Sequence, residues 1–149
     1  MLLARTKSNP LATRILEALD PALTAAHARN EAAELGEVLI FAGYQLAGRH
    51  LFVPEVSITH ADQSAGEYLE GAPAIAIEVI SAEQRPGALA RQTQIYFEHG
   101  AREVWHLDQR RRKMKIYSGS ESQMRVEEEA VTTPLLPGFT LKLAEILGG

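Results

Sequence analysis

The sequence predicts a single α/β (α+β) domain, a mixed β-sheet flanked by helices, and three observations lead there. The elements run helix, strands, helix, strands, with no internal repeat and no low-complexity linker. A length of 149 residues with 46% hydrophobic content suits one core over residues 1–149 and would make a second domain cramped. The apolar run APAIAIEVIS, from Ala72, reads as a central strand, interrupted by one acid, Glu78.

In order along the chain, the segment from Asn9 to Leu35 is rich in Ala and Leu, and Asn9 before Pro10 is an N-cap followed by a first-turn proline. Leu11, Ile15 and Leu19 share one face, but Asp20-Pro21 repeats the cap-and-proline signal, so two helical pieces are expected through about Ala33. Gly36 then punctuates. EVLIFAGYQL and RHLFVPEVSITH read as two strands of a hairpin around Ala47-Gly48, and ADQSAGEYLEGAP as a loop. After the strand Pro73 to Ile80, Pro86 opens a helix in which Leu89, Thr93, Tyr96 and Phe97 recur at three- or four-residue spacing, and Gly100 ends it. REVWHLD and KMKIYS are strands joined by a charged turn around Gln109 and Arg110, and QMRVEEEAVT is a weaker strand. The tail PLLPGFTLKLAEILGG places a turn before a short helix around Leu143 to Leu147.

Composition limits the chemistry. The absence of cysteine excludes disulfides, thiolate metal sites and a cysteine nucleophile, so any metal must sit on oxygen or imidazole. A net charge of -4 argues against coating nucleic acid through bulk charge and leaves room for a local basic face. No apolar run approaches the roughly 18 residues that span a bilayer, and Arg5 and Lys7 are not followed by a signal-peptide core, so the chain reads as soluble and cytoplasmic, with no membrane partner.

Glu55, after Pro54 in LFVPEVSI, and Glu78, in IAIEVIS, each lie within or at the end of a strand with apolar neighbours. A buried unpaired carboxylate costs several kcal/mol, so such an acid pairs, takes a proton or binds a metal. On adjacent strands the two carboxylates would point to one face, and oxygen ligands of that kind suit Mg²⁺ or Mn²⁺. The competing interpretation is that Glu55 ends an edge strand in solvent and Glu78 pairs with Arg85 or Arg91.

The series VPEV, APAIAIEVIS, a helix with Tyr96 and Gly100, REVWHLD and PLLPGFTLKLAEIL resembles the Uma-type family of restriction-endonuclease-like proteins, which belong to the PD-(D/E)XK nuclease superfamily. The resemblance runs from about Gly36 to Ile146, each piece weak alone but five in the right order. It implies a restriction-endonuclease-like core and metal-dependent hydrolysis of DNA phosphodiester bonds. It places Glu55 where the family has its first metal-binding Asp, and Glu78 at the second acid, so both are metal candidates and catalytic candidates. The family's catalytic lysine, carried on the helix in a K-x-x-x-Y pattern, falls at Gln92, and the aspartate that often precedes it falls at Ala88. Because the sequence begins close to its first long helix, the family's acidic strand and turn before that helix are expected to be absent. Glutamine can hold a water or a phosphate oxygen but brings no charge, and loss of one preorganised electrostatic group commonly costs on the order of 10²–10³ in rate.

Three functions therefore stay open: a metal-dependent endonuclease, a catalytically silent nuclease-like binding module, and a structural homodimer joined through the apolar face of its amino-terminal helices. A homodimer is expected in the first case too, since many nucleases of this fold cut as pairs. Other features are assigned plainer roles. RRRK, Arg110 to Lys113, reads as a solvated hairpin tip; His60 with Asp62 as a polar loop; Trp105 and Tyr96 as core aromatics. His27, His50 and His99 stand at no shared-metal spacing, so no zinc is expected. No glycine-rich phosphate loop and no G-x-S-x-G element is present.

Overall fold

The computed structural model describes residues 10–46, 48 and 50–148. Asn9, Arg5, Lys7 and Ala47, to which the sequence assigned a cap, a leader test and a turn, lie outside them.

A six-stranded sheet organises the chain, in the order β1 (Leu35–Ile40), β4 (Val56–His60), β6 (Ile75–Ile80), β7 (Glu103–Asp108), β8 (Lys113–Ser118) and β9 (Glu121–Val126). β6 and β7 are parallel, joined by helix α2 (Pro86–Glu98), and the other neighbours are antiparallel. The sheet is mixed and flanked by helices, as predicted, and β6 is interior with strands on both sides. Its alternation sorts the core into two layers. Ile75, Ile77, Trp105, Leu107, Met114 and Ile116 pack on the side of α1 (Pro10–Ala28) and α3 (Leu143–Leu147). Ala76 and Val104 point the other way, toward Tyr96 of α2 and a smaller cluster with Tyr44 and Ala72.

The first helix is one element, not two. Pro21 lies inside α1, where it removes one backbone donor and strips the Glu17 carbonyl of its partner. Pro21 and Glu17 both face solvent, so that carbonyl stays open to water. On the opposite side Leu11, Ala12, Ile15, Leu19, Leu23 and Ala26 form one buried stripe that holds both halves against the sheet. The apolar face proposed for dimer contact is thus covered by the chain's own core.

The predicted hairpin is divided between two sheets. β1 pairs with β4, whereas β2 (Tyr44–Gln45) and β3 (Leu51–Phe52) leave to form a small sheet with β5 (Leu69–Glu70), two residues inside the predicted loop. The break falls at Phe41, whose φ of 52° is the left-handed region and costs on the order of 1 kcal/mol for a side chain of this kind, and at Pro54, which has no donor for a ladder. The Phe41 amide bridges the break, donating to the Glu55 carbonyl at 3.1 Å. At the other end of the β1–β4 pair, Gly36 passes so close to its partner that a Cβ there would collide with Thr59 Oγ1 and lie 2.8 Å from the His60 carbonyl oxygen.

α2 begins at Pro86 and ends at Glu98, capped by His99, with Gly100 at φ 110° beyond it. The weaker strand expected over QMRVEEEAVT is split into β9 and the short β10 (Ala130–Val131), which pairs with β11 (Leu141–Lys142) of the tail, and α3 spans Leu143–Leu147 as expected.

Candidate active site

Register builds the site. In the β4–β6 pair Val56 stands opposite Ile77, so the next positions outward are Glu55 and Glu78. Across β6–β7, Glu78 pairs with His106, and across β7–β8, His106 pairs with Lys115. Paired positions share a face, so Glu55, Glu78, His106 and Lys115 form one row across the face that α2 covers. The two acids singled out from sequence are brought together, and two basic side chains that the sequence reading did not single out complete the row.

Glu78 is 6% exposed. Its Oε2 accepts a hydrogen bond of 2.6 Å from the Tyr96 hydroxyl, and no Lys or Arg forms an ion pair with it among the described residues, so the pairing with Arg85 or Arg91 is not formed. Burial pushes its carboxyl up to about 8, the Tyr96 bond pulls it back, and the charge and hydrogen bonding of Glu55 push it further up. Near neutral pH the pair therefore holds a proton. Glu55 is half-buried, and its Oε1 accepts from the Val79 amide at 2.9 Å, which ties the first acid to the strand that carries the second. Tyr96, read from sequence as a core aromatic, is fully buried and also serves the site; its hydroxyl is held in the protonated form by burial first and by Glu78 second. The signal for this role was available in the sequence as a tyrosine on the buried stripe of a helix that packs over an acid-bearing strand.

α2 serves the row twice. Thr93, three residues before Tyr96, donates its hydroxyl proton to the Leu89 carbonyl at 2.8 Å and lies 3.2 Å from His106 Nε2. A hydroxyl has one proton to give, so neutral His106 donates from Nε2 and keeps a lone pair on Nδ1. Burial, and then the charge of Lys115, lower the imidazole to about 4, which keeps it neutral. The Tyr117 ring lies edge-on to it at 5.1 Å.

Gln92, adjacent to Thr93, is half-buried and borders a hollow of about 310 Å³ with Phe52, Ala88, Leu89 and Arg91. Its amide has no hydrogen-bond partner among the described residues. One turn on, Tyr96 meets Phe52 edge-to-face with centroids 5.1 Å apart, so one wall of the hollow touches the tyrosine that holds Glu78, although neither acid lines it. On the other side of the helix a cleft of about 620 Å³ is bordered by His106, Asp108, Arg110, Arg111, Lys113 and Lys115. Arg110 and Arg111 are exposed, as expected of a solvated tip, and they also border this cleft. Arg112 alone turns away, at φ 54°, to bond Glu127 at 2.8 Å and the Gly148 carbonyl at 3.0 Å.

The donor set available to a cation is small. Among the described residues no three His, Asp or Glu side chains converge. Two hard carboxylates in register do fit Mg²⁺ or Mn²⁺, which are commonly bound by one or two carboxylates with substrate phosphate and water completing the shell. His60 lies apart, its Nε2 bonded to the Gly100 carbonyl at 2.9 Å, and Trp105 is a core residue, its Nε1 donating to Glu103 at 2.8 Å. Among the described residues no helix is long and apolar enough to cross a membrane.

Comparisons with known proteins agree with this architecture. One solved structure, titled "Crystal structure of a putative nuclease belonging to DUF820 from Anabaena variabilis ATCC 29413", superposes with a TM-score of 0.69 at 15% identity, over 94% of this chain and 82% of the other. That degree of likeness establishes a shared fold. No curated protein matches the chain. The profile of the family "Uma2: Putative restriction endonuclease" matches residues 4–144, reaching back past α1 where the motif resemblance began only near Gly36. The chain belongs to the Uma2 family, described as "Putative restriction endonuclease".

Proposed function

We propose that the chain is a metal-dependent endonuclease that hydrolyses DNA phosphodiester bonds, with Glu55 and Glu78 as the ion-holding and catalytic pair and Gln92 as a neutral positioning group. The observation that carries this reading is the in-register pair of acids, one of them buried and with no Lys or Arg in an ion pair with it among the described residues. A position where two carboxylates must share a proton is one where a divalent cation replaces that proton with gain to both. When bound, such an ion supplies Lewis acidity to a phosphodiester and acidifies water. The chain's own residues do the rest. The Val79 amide and the Tyr96 hydroxyl fix one oxygen of each acid, which orients the remaining oxygens. The Gln92 side-chain amide, without a hydrogen-bond partner among the described residues, serves in this reading to hold a water or a phosphate oxygen by hydrogen bonding. Cutting both strands of a duplex needs two such sites, and a homodimer is the simplest supply; sedimentation velocity reads it directly.

Two observations weigh against the other functions. A silent binding module would hold Glu78 with an arginine, yet tyrosine holds it. A purely structural protein has no use for a cationic cleft bordered by His106, the strand neighbour of the buried acid, and one is present. The test is Mn²⁺ and Mg²⁺ binding by calorimetry on wild type and Glu78→Ala, with plasmid nicking scored on the same samples. Binding and nicking in wild type, both lost in the variant, is the expected result; a wild type that neither binds nor nicks sinks the reading.

A further inference from the structure

We infer that the cleft between the start of α2 and the β7–β8 turn is the track for the sugar-phosphate backbone of a nucleic acid, with Lys115 as the cation nearest the carboxylate pair. The inference rests on the nuclease reading above and adds to it the surface that holds the substrate. The chain carries a net charge of -4, so four cationic side chains on the border of one cleft run against its overall balance. Arg110, Lys113 and Lys115 have no carboxylate at ion-pair distance among the described residues, and Arg111 has only Asp108, at 3.8 Å. Elsewhere Arg29 pairs with Glu31, Arg102 with Glu34 and Arg112 with Glu127, while Arg14, Arg85, Arg91, Arg125 and Lys142 form no ion pair among the described residues but border no common cleft of this kind. What sets the cleft apart is density: four cations line it with a single acid, Asp108.

Its placement matters as much as its sign. Lys115 and Lys113 alternate on the face of β8 that bears the row, Lys115 paired with His106, which in turn pairs with Glu78. Strands are spaced about 4.8 Å apart, so Lys115 stands about 10 Å from Glu78 in the same row, within reach of a phosphate adjacent to one lying over the acids. The Lys115 ammonium sits 5.1 Å from the centre of the Tyr117 ring, which holds it over the cleft.

The experiment is fluorescence anisotropy with a 20-base-pair duplex in EDTA, where no cutting intervenes, followed by plasmid nicking with Mn²⁺. Wild type should bind, with affinity falling steeply with salt at a log–log slope near 3 to 4 for about four neutralised phosphates. The double variant Lys113→Ala/Lys115→Ala should bind at least 10-fold more weakly with the slope reduced by about two. Lys113→Arg/Lys115→Arg should restore binding, and Arg102→Ala, at the opposite end of β7, should leave it unchanged. Absence of wild-type binding at low salt, or equal binding by the double alanine variant, overturns the inference. Cleft-dependent binding without any wild-type nicking leaves the track standing and removes the nuclease reading. Nicking that ignores the cleft variants does the reverse.

Discussion

Two buried glutamates on neighbouring strands meet opposite fates. Glu103, at the start of β7 on the α1 side, accepts from Trp105 Nε1 at 2.8 Å and from the Thr133 hydroxyl at 2.7 Å, and its carboxyl rises mainly through burial, against those two bonds and the nearby Arg102. Glu78, on β6 and the α2 side, has one side-chain donor and a second carboxylate beside it. Both are buried acids with raised proton affinity, so burial alone does not mark a site. What separates them is that neutral donors fill the first, whereas the second is left short of positive charge, and only a proton or a cation can complete it.

The largest effect expected from this contrast is on cleavage. Glu78→Gln keeps the shape and an acceptor for Tyr96, and should lower plasmid nicking by at least about 10²-fold with an unchanged circular dichroism spectrum. Glu103→Gln should leave nicking within about twofold while lowering stability in urea by about 1–3 kcal/mol, because one of its two donors then faces an amide NH₂. Equal nicking by wild type and Glu78→Gln would erase the distinction.

The contrast should also appear as pH dependence. Glu78 binds its proton more tightly in the folded chain, at about 8, than the ordinary 4.5 of an unfolded glutamate. The stability this contributes is complete below about pH 4.5 and is lost as pH rises through about 8, a few kcal/mol at roughly 1.4 kcal/mol per unit. Wild type should therefore weaken across that window in metal-free urea titrations, and Glu78→Gln should lose that part of the slope. Added Mn²⁺ should return stability at pH 8 to wild type and not to the variant.

Smaller effects sharpen the roles of α2. Tyr96→Phe removes the bond that pulls the Glu78 carboxyl down, so the acid limb of the nicking profile should move to higher pH, with about 1–3 kcal/mol lost from stability. Gln92→Lys should raise nicking about 10-fold or more by supplying a charged donor beside the pair. No gain would mean that Gln92 is placed away from the reacting phosphate.

Much of this was legible in the sequence. β6, α2, β8 and α3 lie within a residue or two of their expected bounds because each carries a strong local signal: an apolar run, a first-turn proline with a glycine stop, or clear alternation. Glu55 and Glu78 were identifiable as acids in apolar strands, and their convergence required only that the strands be neighbours. The continuity of α1 was not legible, because Pro21 is a local breaker whose cost is set by where it faces, and that is a tertiary fact. Nor was the work of Thr93 and His106, since a threonine on a helix and a histidine in a strand acquire meaning only when parallel pairing and helix crossing bring them within 3.2 Å. Lys115 was hidden for the same reason: strand alternation gave its face, and only the register gave its row.

Gly36 has a genetic consequence. It touches neither acid and lies at the far end of the β1–β4 pair from Glu55, yet a side chain there meets Thr59 and the His60 carbonyl. Pushing β1 away from β4 would release the Phe41 amide from the Glu55 carbonyl and loosen the first acid. In a random-mutagenesis screen scored by loss of cleavage, Gly36 alleles would therefore be recovered alongside Glu55 alleles, and only the amount of folded protein in each colony would tell the two groups apart.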